Sequence, residues 1–142
     1  MADERPVLDQ INLVVSDMDA SLAFYRRVGV EFPDWEPRWD AHHRSAKIAG
    51  GLDFDLDSAT FARDWNEGSR GPACVVGFKL ASSDAVDALY ADLTGAGYHG
   101  QQSPYDAFWG ARYAVVADPD GNPVGLMGPI DDARRRDVQP PS

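Results

Sequence analysis

Residues 7–29, VLDQINLVVSDMDASLAFYRRVG, decide the fold. Val7 to Val15 alternates as a strand, with Ile11, Leu13 and Val15 on one face and Gln10, Asn12 and Val14 on the other. Ser16-Asp17-Met18-Asp19 then offers short oxygen side chains for free helix amides and acids suited to the positive helix end. Met18, Leu22, Tyr25 and Val28 recur at helical spacing before Gly29, which supplies the left-handed conformation that ends a helix. The stretch reads as a strand with two chemically different faces, followed by an amphipathic helix.

The same order returns roughly 65 residues later. Cys74 to Ala81 is a strand, Ser82-Ser83-Asp84 supplies caps, and Val86, Leu89, Tyr90 and Leu93 form a helical stripe before Gly95 and Gly97. Between the two units, Val30 to Pro33 leads into an aromatic loop with Trp35, Pro37 and Trp39. His43 to Ile48 and Leu52 to Asp57 flank Gly50-Gly51, a hairpin turn because both residues tolerate positive φ. Along the second of these strands Leu52, Phe54 and Leu56 share one face, while Asp53, Asp55 and Asp57 share the other. After the second helix come strands over Tyr98 to Gln102, Arg112 to Ala117 and Val124 to Met127, the last two joined by the turn Asp118-Pro119-Asp120-Gly121-Asn122.

The chain is therefore expected to be an α+β protein of two βαβββ modules. Module one runs over about 7–57 and module two over about 73–129, joined by a connector over 58–72 that holds at most a short helical turn. Together they make one domain over 1–130, and 131–142, with mixed charge and no apolar periodicity, reads as a flexible tail.

Composition narrows the function. Thirteen Lys and Arg against 23 Asp and Glu give a formal net charge of −10, which disfavours a nucleic-acid partner and suits a cationic or neutral small ligand, although it also simply favours solubility. With 44% hydrophobic residues the chain can bury a core, and no run approaches the roughly 20 apolar residues of a membrane span. The opening segment, Met1 to Pro6, is charged with no apolar run behind it, so a soluble cytoplasmic protein is expected. The single cysteine, Cys74, cannot form an intrachain disulfide or a thiolate cluster, and in the run Cys74-Val75-Val76 it reads as a buried inert thiol. There is no His-Glu-x-x-His, nucleophile elbow or phosphate loop.

Asn12-Leu13-Val14-Val15-Ser16-Asp17, Ser21-Leu22-Ala23-Phe24-Tyr25 closed by Gly29, and Asp118-Pro119-Asp120-Gly121-Asn122, in that order across a duplicated unit, resemble the vicinal oxygen chelate superfamily over about 7–129. That superfamily includes glyoxalase I, extradiol dioxygenases and the fosfomycin- and bleomycin-resistance proteins. The resemblance implies a mixed sheet curled into half-barrels around a concave site, often completed across a homodimer. In metal-dependent members four side chains hold a divalent ion that polarises substrate oxygens. Carried onto this sequence, those positions fall on Gln10, Asp55, Gly77 and Gly125, so two of the four lack a side chain. Gln10 and Asp55 are weak metal candidates, and a family-like metal cofactor is not expected; Asp53 and Asp57 could add carboxylates, and His42 or His43 a nitrogen, only in a rearranged centre.

The candidate ligand-binding residues are Gln10, Asn12, Asp53 and Asp55 on polar strand faces, His43, and the aromatic set Trp35, Trp39, Trp109 and Tyr113. His42 and His43 are adjacent on a strand, so at most one reaches a given cavity. The tryptophans serve either as core lids or as stacking surfaces for a flat or cationic ligand. Lys79 and Arg112 are the strand cations that would take an anion instead. The sequence thus points to a homodimeric protein that sequesters a cationic or aromatic compound without a metal, as the resistance branch does. The alternative is a glyoxalase-type metal-dependent lyase, isomerase or dioxygenase acting on a small oxygenated substrate.

Overall fold

Strand β1 (Val7–Val15) gives way to helix α1 (Met18–Val28) where the Asp17 carboxylate accepts the Ala20 amide at 3.0 Å. Gly29, at φ 117°, closes the helix in the left-handed conformation. The computed structural model describes residues 5–48 and 50–141, so most of the charged opening segment lies outside it. Strands β2 (His43–Lys47) and β3 (Asp53–Ser58) form the expected hairpin. Helix α2 (Ala59–Trp65) and strand β4 (Ala73–Lys79) follow. Helix α3 (Ser83–Gly95) and strands β5 (Gly100–Asp106), β6 (Arg112–Ala117) and β7 (Pro123–Met127) complete the second module.

All seven strands join one mixed sheet in the order β2-β3-β1-β4-β7-β6-β5. Within the modules β1 runs parallel to β3 and β4 parallel to β7, while the seam between the modules is the antiparallel pair β1–β4. The two half-sheets therefore meet within a single chain. Helix α1 buries Met18 and Leu22 against Phe54 and Leu56 on one outer face. Helix α3 does the same with Val86 against Ala114, Val116 and Leu126. Because the helices cover the outer faces, the opposite face, carrying Gln10, Asn12 and the aspartates, is left to line a cavity. Among the described residues no helix is long and apolar enough to cross a membrane.

Four expectations are revised. Module one forms two strands after its helix, not three: 30–36 makes no ladder, since Pro33 and Pro37 lack donors and Phe32 turns inward to fill the core under α1. Buried Arg44, on β2, lies 3.7 Å from Asp34 and 3.9 Å from Asp40, the two acids that bracket the aromatic loop. The connector holds a two-turn helix, α2, because the Ser58 hydroxyl accepts the Phe61 amide at 3.0 Å and Phe61 and Trp65, four residues apart, are both buried. Cys74 is exposed, since alternation on β4 sends Val75 inward. Residues 131–138, read as a flexible tail, lie against the domain: the Arg136 amide donates to Phe108 O at 2.8 Å, Arg38 pairs with Asp137, and Val138 packs on the interior cluster.

Leu56, fully buried between α1 and the sheet, has no polar role. Leu56→Ala is expected to lower the unfolding free energy by about 2–5 kcal/mol in urea titration, through lost burial and the cavity left behind. A loss below about 1 kcal/mol would mean α1 is not seated on β3 as described.

Candidate functional site

Strand alternation sends Asp53, Asp55 and Asp57 of β3 to the inner face, beside Gln10 and Asn12 of β1 and His43 and Ser45 of β2. They floor a cavity of about 290 Å³. Its walls are aromatic: Trp35 and Trp39 from the loop before β2, Phe61 and Trp65 from α2, and Phe108 and Trp109 from the turn before β6. Tyr113 of β6 and Met127 of β7 close the far side, with Ile130 and Arg135 from the C-terminal segment.

Asp55 and Asp57 are buried, and Asp53 is half-buried. Asp57 is 2% exposed and is held from three elements: Oδ2 accepts Asn12 Nδ2 at 3.0 Å and Trp65 Nε1 at 2.9 Å, and Oδ1 lies 2.5 Å from His43 Nδ1. Asp55, 7% exposed, accepts Gln10 Nε2 and Ser45 Oγ, both at 2.5 Å. Burial pushes the Asp55 carboxyl up to about 6; the charge of His43 and the Ser45 hydroxyl oppose this, while Asp57 and Asp53 add to it. For His43, burial alone lowers the pKa, but the charge and hydrogen bond of Asp57, with Asp55 behind it, carry it above the ordinary histidine value. Burial, followed by Tyr105, Asp57 and Asp55, holds the Tyr113 phenol far above its usual range, so it stays a hydrogen-bond donor.

All nine sequence candidates, Gln10, Asn12, Trp35, Trp39, His43, Asp53, Asp55, Trp109 and Tyr113, line this one cavity. Their settings differ. Trp39 is 4% exposed and stacks at 6.0 Å on Phe108, whereas Trp35 is 55% exposed at the mouth, edge-on to His43 at 5.6 Å. Trp109 lies 5.3 Å from Tyr113 and its indole N–H faces the Met127 sulfur at 3.2 Å. His42 turns away and pairs with Ser58 Oγ at 2.9 Å. Lys79 and Arg112 do not line the cavity, and Arg112 is bound to Asp87 and Asp106. Asp57, Phe61, Trp65 and Arg135 also line it and are not among the nine candidates; alternation along β3 marks Asp57, the Ser58 cap with Phe61 and Trp65 one turn apart marks those two, and no local pattern marks Arg135.

The four positions onto which the resemblance carries a metal centre sit side by side: Gln10 pairs with Gly77 and Gly77 with Gly125, while Asp55 lies on neighbouring β3. The space is taken. A Cβ at Gly125 would stand 2.6 Å from the Tyr113 hydroxyl, and one at Gly77 would stand 3.2 Å from the Gln10 Cβ. Gln10 and Asp55 are bonded to each other, the His43 Nδ1 is engaged by Asp57, and no group of three His, Cys, Asp or Glu among the described residues can hold a metal ion. These residues do not fit a divalent ion.

The family model described as the Glyoxalase/Bleomycin resistance protein/Dioxygenase superfamily matches residues 7–126. Among solved structures, an NAD-dependent benzaldehyde dehydrogenase from Legionella pneumophila is 16% identical at a TM-score of 0.62, over 84% of this chain and 96% of that one. A Mn(II)-bound glyoxalase from Novosphingobium aromaticivorans is 21% identical at 0.60, over 92% of this chain and 41% of that one. A methylmalonyl-CoA epimerase from Mycobacterium tuberculosis is 18% identical at 0.59, over 94% and 95%. At these identities the likeness is one of fold. No curated protein matches the sequence.

The raised Asp55 carboxyl binds a proton more readily in the folded than in the unfolded chain, so its contribution makes stability fall as pH rises from about 4 through about 6. Moving it from 3.8 to about 6 costs on the order of 3 kcal/mol once the group is ionised. Asp55→Asn keeps an acceptor for Ser45 and cannot ionise. Urea unfolding should show it more stable than wild type by on the order of 2 kcal/mol at pH 8, and little different at pH 4. Equal effects at both pH values would contradict a raised Asp55.

Proposed function

This chain belongs to the glyoxalase/bleomycin resistance protein/dioxygenase superfamily, and on that premise we propose that it binds and sequesters a small, planar, positively charged organic compound without a metal ion. One observation carries the reading: the cavity floor is rich in acceptors and short of donors. Asn12 gives its Nδ2 to Asp57, while its buried Oδ1 has no partner among the described residues. An unpaired buried acceptor beside three aspartates favours a ligand that brings N–H groups and positive charge. Arg135 is the one Lys or Arg among the lining residues, and it is bound to Asp132 at 2.7 Å.

The walls suit the rest of such a molecule. Trp and Phe rings offer stacking and cation–π contact at little cost in side-chain entropy. A volume of about 290 Å³ matches a compound of one or two rings, or the aromatic end of a larger antibiotic-like cation. No reaction is needed for protection of this kind; removing the compound from solution suffices. The proposal places the protein in the cytoplasm as a homodimer. The edge of β2 and the exposed Phe24 and Val28 on α1 support a second copy as partner.

Titration with a panel of aromatic cations should quench tryptophan fluorescence, with affinity falling as salt rises and rising as pH climbs through about 6, where Asp55 ionises. Asp55→Asn should weaken a cation about tenfold or more and its neutral analogue much less, as expected for a lost charge-assisted hydrogen bond. Preferential binding of anions would overturn the reading. So would one equivalent of divalent metal per chain surviving dialysis, which favours the metal-dependent lyase or dioxygenase instead.

Sedimentation at tens of micromolar chain should show two copies. A monomer throughout would remove the partner copy from the proposal.

A further inference from the structure

Binding alone leaves the chemistry of His43 unused. Its Nδ1 lies 2.5 Å from Asp57 Oδ1, and Asn12 and Trp65 fix that carboxylate so that it cannot turn away. Trp35 and Phe61 meet the imidazole edge-on at 5.6 and 6.0 Å. With Nδ1–H given to Asp57, Nε2 is the acceptor nitrogen of the neutral ring. It makes no hydrogen bond among the described residues, and the side chain keeps 24% of its surface exposed where it lines the cavity. A carboxylate that fixes the tautomer and orientation of an imidazole, leaving the other nitrogen open to a ligand, is the arrangement of a general base.

We propose that the cavity is also a metal-independent proton-transfer site, in which His43 Nε2, positioned by Asp57, removes a proton from an activated C–H of a small planar aromatic compound. The Tyr113 hydroxyl, which has no hydrogen-bond partner among the described residues, is a donor in the same cavity for negative charge that develops on the compound. The charged groups facing the ring are Asp57 and Asp55, both on β3; Trp35 and Phe61, from the loop and α2, are neutral. The inference shares only the cavity with the sequestration reading, and it requires neither a cationic ligand nor tight binding.

A neutral two-ring probe, 5-nitrobenzisoxazole, isolates the step. Its C3–H bond breaks with the proton passing to Nε2, the electron pair completes a nitrile, and the N–O bond opens to leave a nitrophenolate. The imidazolium then returns its proton to water. No oxidant, reductant or metal takes part.

The full-length protein should show saturable nitrophenolate release. His43→Gln should lower kcat/KM by about 100-fold while circular dichroism stays unchanged. His43→Ala should recover rate on addition of imidazole. The wild-type rate should rise with pH through an ionisation above the ordinary histidine value, because Asp57 and Asp55 outweigh burial. In Asp57→Asn that ionisation should move down, marking Asp57 as a positioning residue; should this variant not fold, the His43 pair decides. A rate in His43→Gln within twofold of wild type, no rescue by imidazole in His43→Ala, or no saturable turnover at all overturns the proposal. Failure to bind aromatic cations would bear on the sequestration reading alone.

Discussion

The buried carboxylate of Asp57 is the constraint around which the site is organised. A charge 2% exposed is tolerated only when its oxygens are satisfied, and here the partners come from three other elements: Asn12 on β1, His43 on β2 and Trp65 on α2. One acceptor therefore fixes the side of the hairpin that faces inward, the rotation of α2 and the tautomer of the histidine. Removing any of these partners leaves a buried charge short of a donor, which costs more than the hydrogen bond itself contributes. Asp55, two residues back on the same strand, is bonded among the described residues to Gln10 and Ser45, both neutral, and its burial raises its pKa.

A second constraint is steric. Tyr113 and Gly125 occupy neighbouring strands, and the phenol lies over the glycine so closely that a Cβ at 125 would stand 2.6 Å from its hydroxyl. The large residue on β6 and the absent side chain on β7 are two parts of one packing solution. It turns the part of the superfamily fold that holds metal ligands elsewhere into an aromatic wall with a protonated hydroxyl. The floor of aspartates remains, but the hydrogen bonds of Asp55 and Asp57 run to two amides, a hydroxyl, an indole and an imidazole.

Much of the fold is legible in the residues. The caps at Asp17 and Ser82, the stripes of α1 and α3, the Gly50-Gly51 turn and the alternation of Asp53, Asp55 and Asp57 against Phe54 and Leu56 are local patterns, and the chain obeys them. Such patterns fail where tertiary packing competes. Val30 to Pro33 has the apolar content of a strand, yet Phe32 is drawn under α1 and the prolines withhold donors. Residues 131–138 have no periodicity and still dock, because single contacts from Arg136, Asp137 and Val138 suffice to hold a short segment against finished structure.

By itself the sequence determined the inward faces of β1, β3, α1 and α3 and that two like modules share a core, since strand and helix periodicities are properties of neighbouring positions. It also placed nine of the cavity's residues on inward faces or aromatic loops. Only the tertiary structure decided what those residues do to one another. The pairing of β1 with β4 brings the modules together within one chain, sheet register sets Tyr113 above Gly125, and α2 carries Trp65 to Asp57. These contacts depend on the positions of backbones far apart in sequence to within a fraction of an ångström. Hydrogen bonding and steric exclusion act at that scale, and no pattern of residue types encodes it.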